Sequence, residues 1–452
     1  MLCAGFVSEK RNGSYETCEV ALVANSSQFL MCRHEKLQQR KQTMTTQLKT
    51  KRGSEFLFVV LLGLCYGAAP GLAHAQRPEA TEAKTHYQVS ELPSLGGTSN
   101  GGNSINDLTW VSGYARLPDR NRHAALWRKS LLTDLDTLGG PNSSVTWGVK
   151  NTQGIIVGIS QTADPEPLGE AWSSAFLYST PNNVGFIKLG FVWENNHMRA
   201  LPNFPGGNNG FATAANNLGK AVGWAETGVH DPTCCCTQVL QFLPAVWDLG
   251  SRDQIHDLPL IAGDSSGAAT AINDNGQIVG ISGMCDQAVG RRTAKHAVLW
   301  ENGTVTDIYP DAPAPWWNTP TAINQRGDIV GFAGDPSSVD GNFLHAFIWT
   351  KEDGIRQLKP LKHRTPEHVD SEAYGINEAR QVVGVSCDAN QVDCRAVIWD
   401  HSSNATDLND FKGSYSGVLA LARDINNNGE ITGRALNGSV LTAYLAVPVS
   451  GK

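Results

Sequence analysis

From about residue 87 onwards, apolar residues come in short strand-length runs cut by Gly, Asn, Asp and Pro, and no 3.6-residue period lasts the length of a helix. One phrase recurs through this region, typified by Ala271-Ile-Asn-Asp-Asn-Gly-Gln-Ile-Val-Gly280. Its seven copies centre on Asn106, Asn151, Asn216, Asn273, Asn324, Asn377 and Asn426, at spacings of 45, 65, 57, 51, 53 and 49 residues. The first Gly is replaced by Thr109 in copy one and by Arg380 in copy six. A second phrase ends in tryptophan: His123-Ala-Ala-Leu-Trp127, Gly190-Phe-Val-Trp193, Pro244-Ala-Val-Trp247, His296-Ala-Val-Leu-Trp300, His345-Ala-Phe-Ile-Trp349 and Arg395-Ala-Val-Ile-Trp399. The third is a short strand with a leucine turn, as in Leu132-Thr-Asp-Leu-Asp-Thr-Leu-Gly-Gly140.

Each unit therefore offers four strand-length runs. Asn-x-x-Gly suits a tight hairpin between the first two, with Asn folding onto the turn backbone and Gly taking positive φ; Thr109 and Arg380 are expected in looser turns. Seven such units predict an all-β, seven-bladed β-propeller of four-stranded blades, with eight blades as the alternative count. The seventh unit stops at Leu441-Thr-Ala-Tyr-Leu-Ala-Val447 without an Asp-Leu strand, whereas Tyr87-Gln-Val-Ser-Glu-Leu-Pro-Ser-Leu-Gly-Gly97 precedes the first unit. The N-terminal strand is thus expected to complete the last blade and remove the free edge.

These phrases, His345-Ala-Phe-Ile-Trp349, Asp134-Leu-Asp-Thr-Leu-Gly-Gly140 and Ala271–Gly280, resemble the bacterial extracellular HAF-repeat family over roughly residues 87–447. The resemblance implies a secreted bacterial protein and carries over no activity. Arg395 stands where the His would be, and Ser174-Ala-Phe-Leu-Tyr178 is a partial copy inside the long second unit, read as an insertion.

The segment upstream of the repeats changes the expected address. Residues 44–75 read as a secretory signal: Met44, basic Lys49, Lys51 and Arg52, an apolar run from Phe56 to Tyr66, and the small-x-small site Ala73-His-Ala75. The apolar run is too short for a bilayer that needs roughly 20 residues. Residues 1–43 are then a mis-annotated upstream extension, 76–86 a linker and 87–449 the propeller. No C-terminal anchor is expected. The 452 residues include 46 Gly and 21 Pro, with 17% charged and 41% apolar side chains, which excludes a disordered tail protein. After residue 75 there are 27 basic and 38 acidic residues, a net of 11 negative charges, so nucleic acid is not an expected partner.

Candidate chemistry gathers on the face carrying the variable loops, where binding usually resides on rigid scaffolds. Trp147, Trp316 and Trp317 are expected in blade connectors there, where aromatic rings stack on sugars or anchor a protein ligand. Six cysteines map to the same face. Cys387 and Cys394 are expected to form a local disulfide, and Cys285 to pair with one of Cys234, Cys235 and Cys236. No metal or cofactor is expected. The recurring tryptophans, and His123, His296 and His345, read as structural. Asp107, Asp274 and Asp424 invite a calcium reading that one or two carboxylates per turn do not support. In the strands expected to line the channel, the acids are Asp370, Glu372 and Asp424, too few for a catalytic assignment. The leading expectation is a secreted, non-enzymatic binding module for a polysaccharide, cell-envelope component or protein. A propeller glycoside hydrolase or lyase and a structural surface scaffold are the alternatives.

Overall fold

The computed structural model describes residues 6–11, 14–19, 85–129, 131–170, 185–234, 238–250, 254–285, 294–312, 318–334 and 343–449. The expected signal segment, most of the linker, Trp316, Trp317, Cys235, Cys236 and the insertion around Ser174 lie outside these residues. Two units are present. In the first, Phe6–Arg11 and Ser14–Glu19 pair as an antiparallel hairpin.

The second unit contains seven four-stranded antiparallel sheets and is a seven-bladed β-propeller. Blade 1 runs outward as Asn100–Ile105, Trp110–Arg116, Arg122–Arg128 and Leu131–Asp134. The innermost strands of blades 2 to 7 are Gly139–Ser144, Gly210–Ala215, Ser266–Ile272, Thr319–Ile323, His368–Ile376 and Val418–Ile425. The outermost strand of the last sheet is His86–Glu91, antiparallel to Val440–Val449. Burial explains the layering: Asn100–Ile105 is buried along its whole length, whereas Leu131–Asp134 presents both ends to solvent. Among the described residues, no helix is long and apolar enough to cross a membrane.

The repeated asparagine holds turn and ring together. The Asn324 side chain accepts from the backbone N–H of Arg326 and Asp328, closing its own turn. Its amide donates to the carbonyl of Asn377 in the next blade, 3.2 Å away. Equivalent bonds run from Asn106 to Asn151, Asn151 to Ala215, Asn216 to Asn273, Asn273 to Asn324, Asn377 to Asn426 and Asn426 back to Asn106.

A second, outer ring uses the residue after each asparagine. Asn217 N–H donates to Asp274, and Asn427 N–H donates to Asp107, so these two carboxylates serve as caps on neighbouring turns.

Thr109 and Arg380 correct one expectation. Their φ values of 61° and 59° match the glycines at the same position, and both turns close with the same hydrogen bond, so neither is looser. The strain of a side chain at positive φ is offset by contacts only that side chain makes: Thr109 donates to Glu430, and Arg380 grips Asp328 through two bonds of 2.8 Å.

Recurring tryptophans clasp successive blades. Trp127, Trp247, Trp300 and Trp399 donate Nε1–H to the carbonyls of Pro93, Pro202, Pro259 and Lys359, each just beyond the outer strand of the preceding blade. His123 and His296 lie within hydrogen-bond distance of Asp134 and Asp307 on their own outer strands, at 2.9 and 2.6 Å, joining the tryptophan phrase to the Asp-Leu phrase.

Candidate ligand site at the channel

Six innermost strands carry a bulge three residues before the repeated asparagine. In blades 3, 4 and 5 the bulged residue is Thr213, Thr270 or Thr321. Each hydroxyl lies within hydrogen-bond distance of a carbonyl on its own second strand and of one on the inner strand of the next blade, and its one proton can serve either. Blades 6, 7 and 1 break this pattern with Tyr374, Arg423 and Asn103. The replacements put a phenol, a guanidinium and an amide where blades 3, 4 and 5 place a threonine hydroxyl.

These replacements meet. The Arg423 guanidinium lies 4.2 Å from the centre of the Tyr374 ring and donates to the Thr146 carbonyl of blade 2, 2.9 Å away. Tyr374 donates its hydroxyl to Glu372. Asn103 donates to the Val145 carbonyl and lies at 3.5 Å from Arg434. The next residue after Thr146 is Trp147, half-buried and edge-on to Phe211 at 6.0 Å between ring centres. The arc thus holds cations, a carboxylate, a phenol and an indole around one wall of the channel.

Trp147 requires a correction. It lies not in a connector but in the innermost segment of blade 2, whose backbone at Val145 and Val149 bonds to Asn103 and Ser104 of blade 1. Lys150, three residues on, reaches blades 6 and 7, bonding to the carbonyls of Ile376 and Ile425 and the carboxylate of Asp424, at 3.0, 2.6 and 2.8 Å. Burial outweighs the ammonium and holds Asp424 above the usual carboxylate range. Asp424 is therefore half of an ion pair pinning the channel, and Asp370 accepts from Leu344 N–H and Gln391. Of the three channel acids, Glu372 is the one that accepts from Tyr374.

The structure joins Cys234 to Cys285, between the loops of blades 3 and 4, and Cys387 to Cys394 within blade 6. Asp231 lies beside the first pair, but sulfurs held in a disulfide are not thiolate ligands. Beyond them lies a buried acid cluster. Glu170 accepts from Val239 and Leu240 N–H, Glu226 accepts from Asn209 N–H and Gln238, and the Asn209 amide bridges both carboxyls. Burial and the Glu170 charge push Glu226 up to about 8, and burial pulls Lys188 down to about 8.

Ser386, His368 and Asp393 form a contiguous hydroxyl, imidazole and carboxylate, at 2.9 and 3.4 Å. Ser386 is wholly buried and accepts from Leu361 N–H, as Ser160 and Ser282 accept from Leu138 and Ile261 in other blades. It is a blade fastener without access to a substrate.

No family profile and no curated protein matches the chain. Among solved structures, it is similar to a catalytically inactive virginiamycin B lyase from Staphylococcus aureus, at 9% identity, 80% of this chain, 100% of that chain and a TM-score of 0.39. The β-propeller domain of the Trilobed protease from Pyrococcus furiosus gives 7%, 81%, 95% and 0.44. Trypanosoma rangeli sialidase gives 10%, 71%, 56% and 0.36.

Proposed function

We propose that the protein is a secreted binding module of the HAF-repeat type that takes a glycan at the channel, on the wall formed by blades 6, 7, 1 and 2. The observation that carries this reading is the broken repeat: where other blades place a structural threonine, this wall gathers Tyr374 and Arg423 beside Glu372 and Trp147. A partly exposed indole offers a sugar ring an apolar face, and guanidinium, carboxylate and phenol offer hydroxyl partners of both polarities. The two disulfides are consistent with an oxidising compartment and support export.

The test is a panel of neutral and acidic polysaccharides, following tryptophan emission and new reducing ends together. We expect emission to change for at least one glycan, and Trp147→Phe and Arg423→Met to weaken that response about tenfold or more. A response that survives both substitutions would remove the channel from the reading. The bond between Tyr374 and Glu372 favours a second reading, a hydrolase or lyase in which this pair moves a proton, and new reducing ends lost in Tyr374→Phe would establish it.

A further inference from the structure

Beyond Asn103 the arc continues to the second strands of blades 7 and 1, which carry Arg434 and Tyr114. Tyr114, 3% exposed, faces Arg122 with 3.8 Å from guanidinium carbon to ring centre and Arg434 with 5.3 Å. Arg116 is the cross-strand partner of Arg122 and also acts on the phenol. Gly101 makes the approach feasible, since a Cβ there would lie 2.7 Å from the Tyr114 ring and 2.9 Å from Arg434 Nε. Arg434 Nε is buried without a hydrogen-bond partner, its Nη2 reaches Asn103 only at 3.5 Å, and it has no salt bridge among the described residues. Burial raises the Tyr114 phenol, but the charges acting on it are all cationic, and with a hydrogen bond to Ser99 they outweigh burial and bring it down to about 8. Three partly exposed guanidiniums on two blades converge on one phenol, in a chain of net charge −7. Guanidinium forks match oxyanions in shape and charge.

We propose that Tyr114, Arg116, Arg122 and Arg434 form an oxyanion subsite that takes the carboxylate or sulfate of an acidic glycan. The subsite rests on the channel reading above and extends it to acidic sugars. An anion held there offsets the guanidinium charge, so the phenol reports occupancy directly.

The experiment follows tyrosinate absorbance of the purified protein against pH, alone and with glucuronate, sulfate or chloride at matched ionic strength, with Tyr114→Phe identifying the relevant transition. Glucuronate or sulfate is expected to raise the midpoint by about one pH unit while chloride does not. The larger of the two shifts identifies the anion class. Arg434→Met is expected to abolish the anion-dependent shift, and Arg122→Met serves the same purpose if Arg434→Met fails to fold. Equal shifts with chloride, or no shift with any anion, overturn the subsite. If neutral glycans still change Trp147-dependent emission in that event, the channel reading survives alone. If anions move Tyr114 but no glycan changes that emission, the subsite stands and the channel reading falls.

Discussion

Asn377 makes four hydrogen bonds with one side chain, to Gln381 and the Asn426 carbonyl through its amide and from Ala379 and Gln381 N–H to its oxygen. Aspartate would lose the donor and alanine would lose everything, which is the physical reason for Asn at every repeat. Polar residues outside the repeat carry a different burden, as Glu226 shows. A carboxyl raised from its ordinary 4.5 to about 8 binds its proton more tightly folded than unfolded. Its contribution to stability is therefore complete below about pH 4 and is lost as the pH climbs through about 8. Glu170 is raised as well and acts in the same direction. Lys188, depressed to about 8, adds stability only as the pH rises above that value. Thermal midpoints of the wild type are thus expected to fall between about pH 5 and 8, and Glu226→Gln to flatten that decline. A flat wild-type profile over the same range would show that the cluster does not hold a proton.

At the scale of the element, each blade is fastened by the Trp clasp as well as by its ladder. Trp300 donates to Pro259, while Trp349, at the matching position, has no such bond among the described residues. Trp300→Phe is expected to cost about 1 kcal/mol more in urea unfolding than Trp349→Phe, reflecting one hydrogen bond. Equal losses would assign the clasp to ring packing alone. The Asn turn was legible in the sequence because it depends on residues at a fixed offset within one phrase, whereas the recurring Trp and His could be read only as structural because their partners lie in the preceding blade or in another phrase. Thr109 and Arg380 were misjudged because positive φ was equated with glycine, although side-chain partners in neighbouring blades offset the strain. The channel site was not legible for two physical reasons. A bulge breaks the two-residue alternation, so the direction of Tyr374 or Arg423 cannot be counted from the strand pattern. The partners Asn103 and Arg434 also lie 331 residues apart and meet only because blade 7 abuts blade 1. Trp147 was misplaced because Val149-Lys150 stands before Asn151 where other units have an Ala or Ile, masking the inner segment.

Across the whole molecule, the asparagine ring links every blade to the next, and Lys150, like Arg423, ties blades that are not neighbours. Lys150 leaves blade 2 and bonds to backbone carbonyls of blades 6 and 7 and to Asp424, whose side chain is 1% exposed. Asp424 also accepts from Ile105 N–H in blade 1, so the pin involves four of the seven blades. Removing one partner of a buried ion pair strands the other charge, at a cost of about 3–5 kcal/mol, whereas removing both charges costs less. Lys150→Met is therefore expected to destabilise strongly, and Lys150→Met with Asp424→Asn to recover part of the loss in urea unfolding. In an open array of blades, the single variant would detach one part and split unfolding into two transitions, since such repeats are coupled only to their neighbours. A closed ring with a pin across its channel instead transmits the loss to all seven blades. One transition, moved to lower urea in Lys150→Met and partly restored in the double variant, is the expected result; two transitions, or a double variant as unstable as the single one, would show that the pin does not unite the ring.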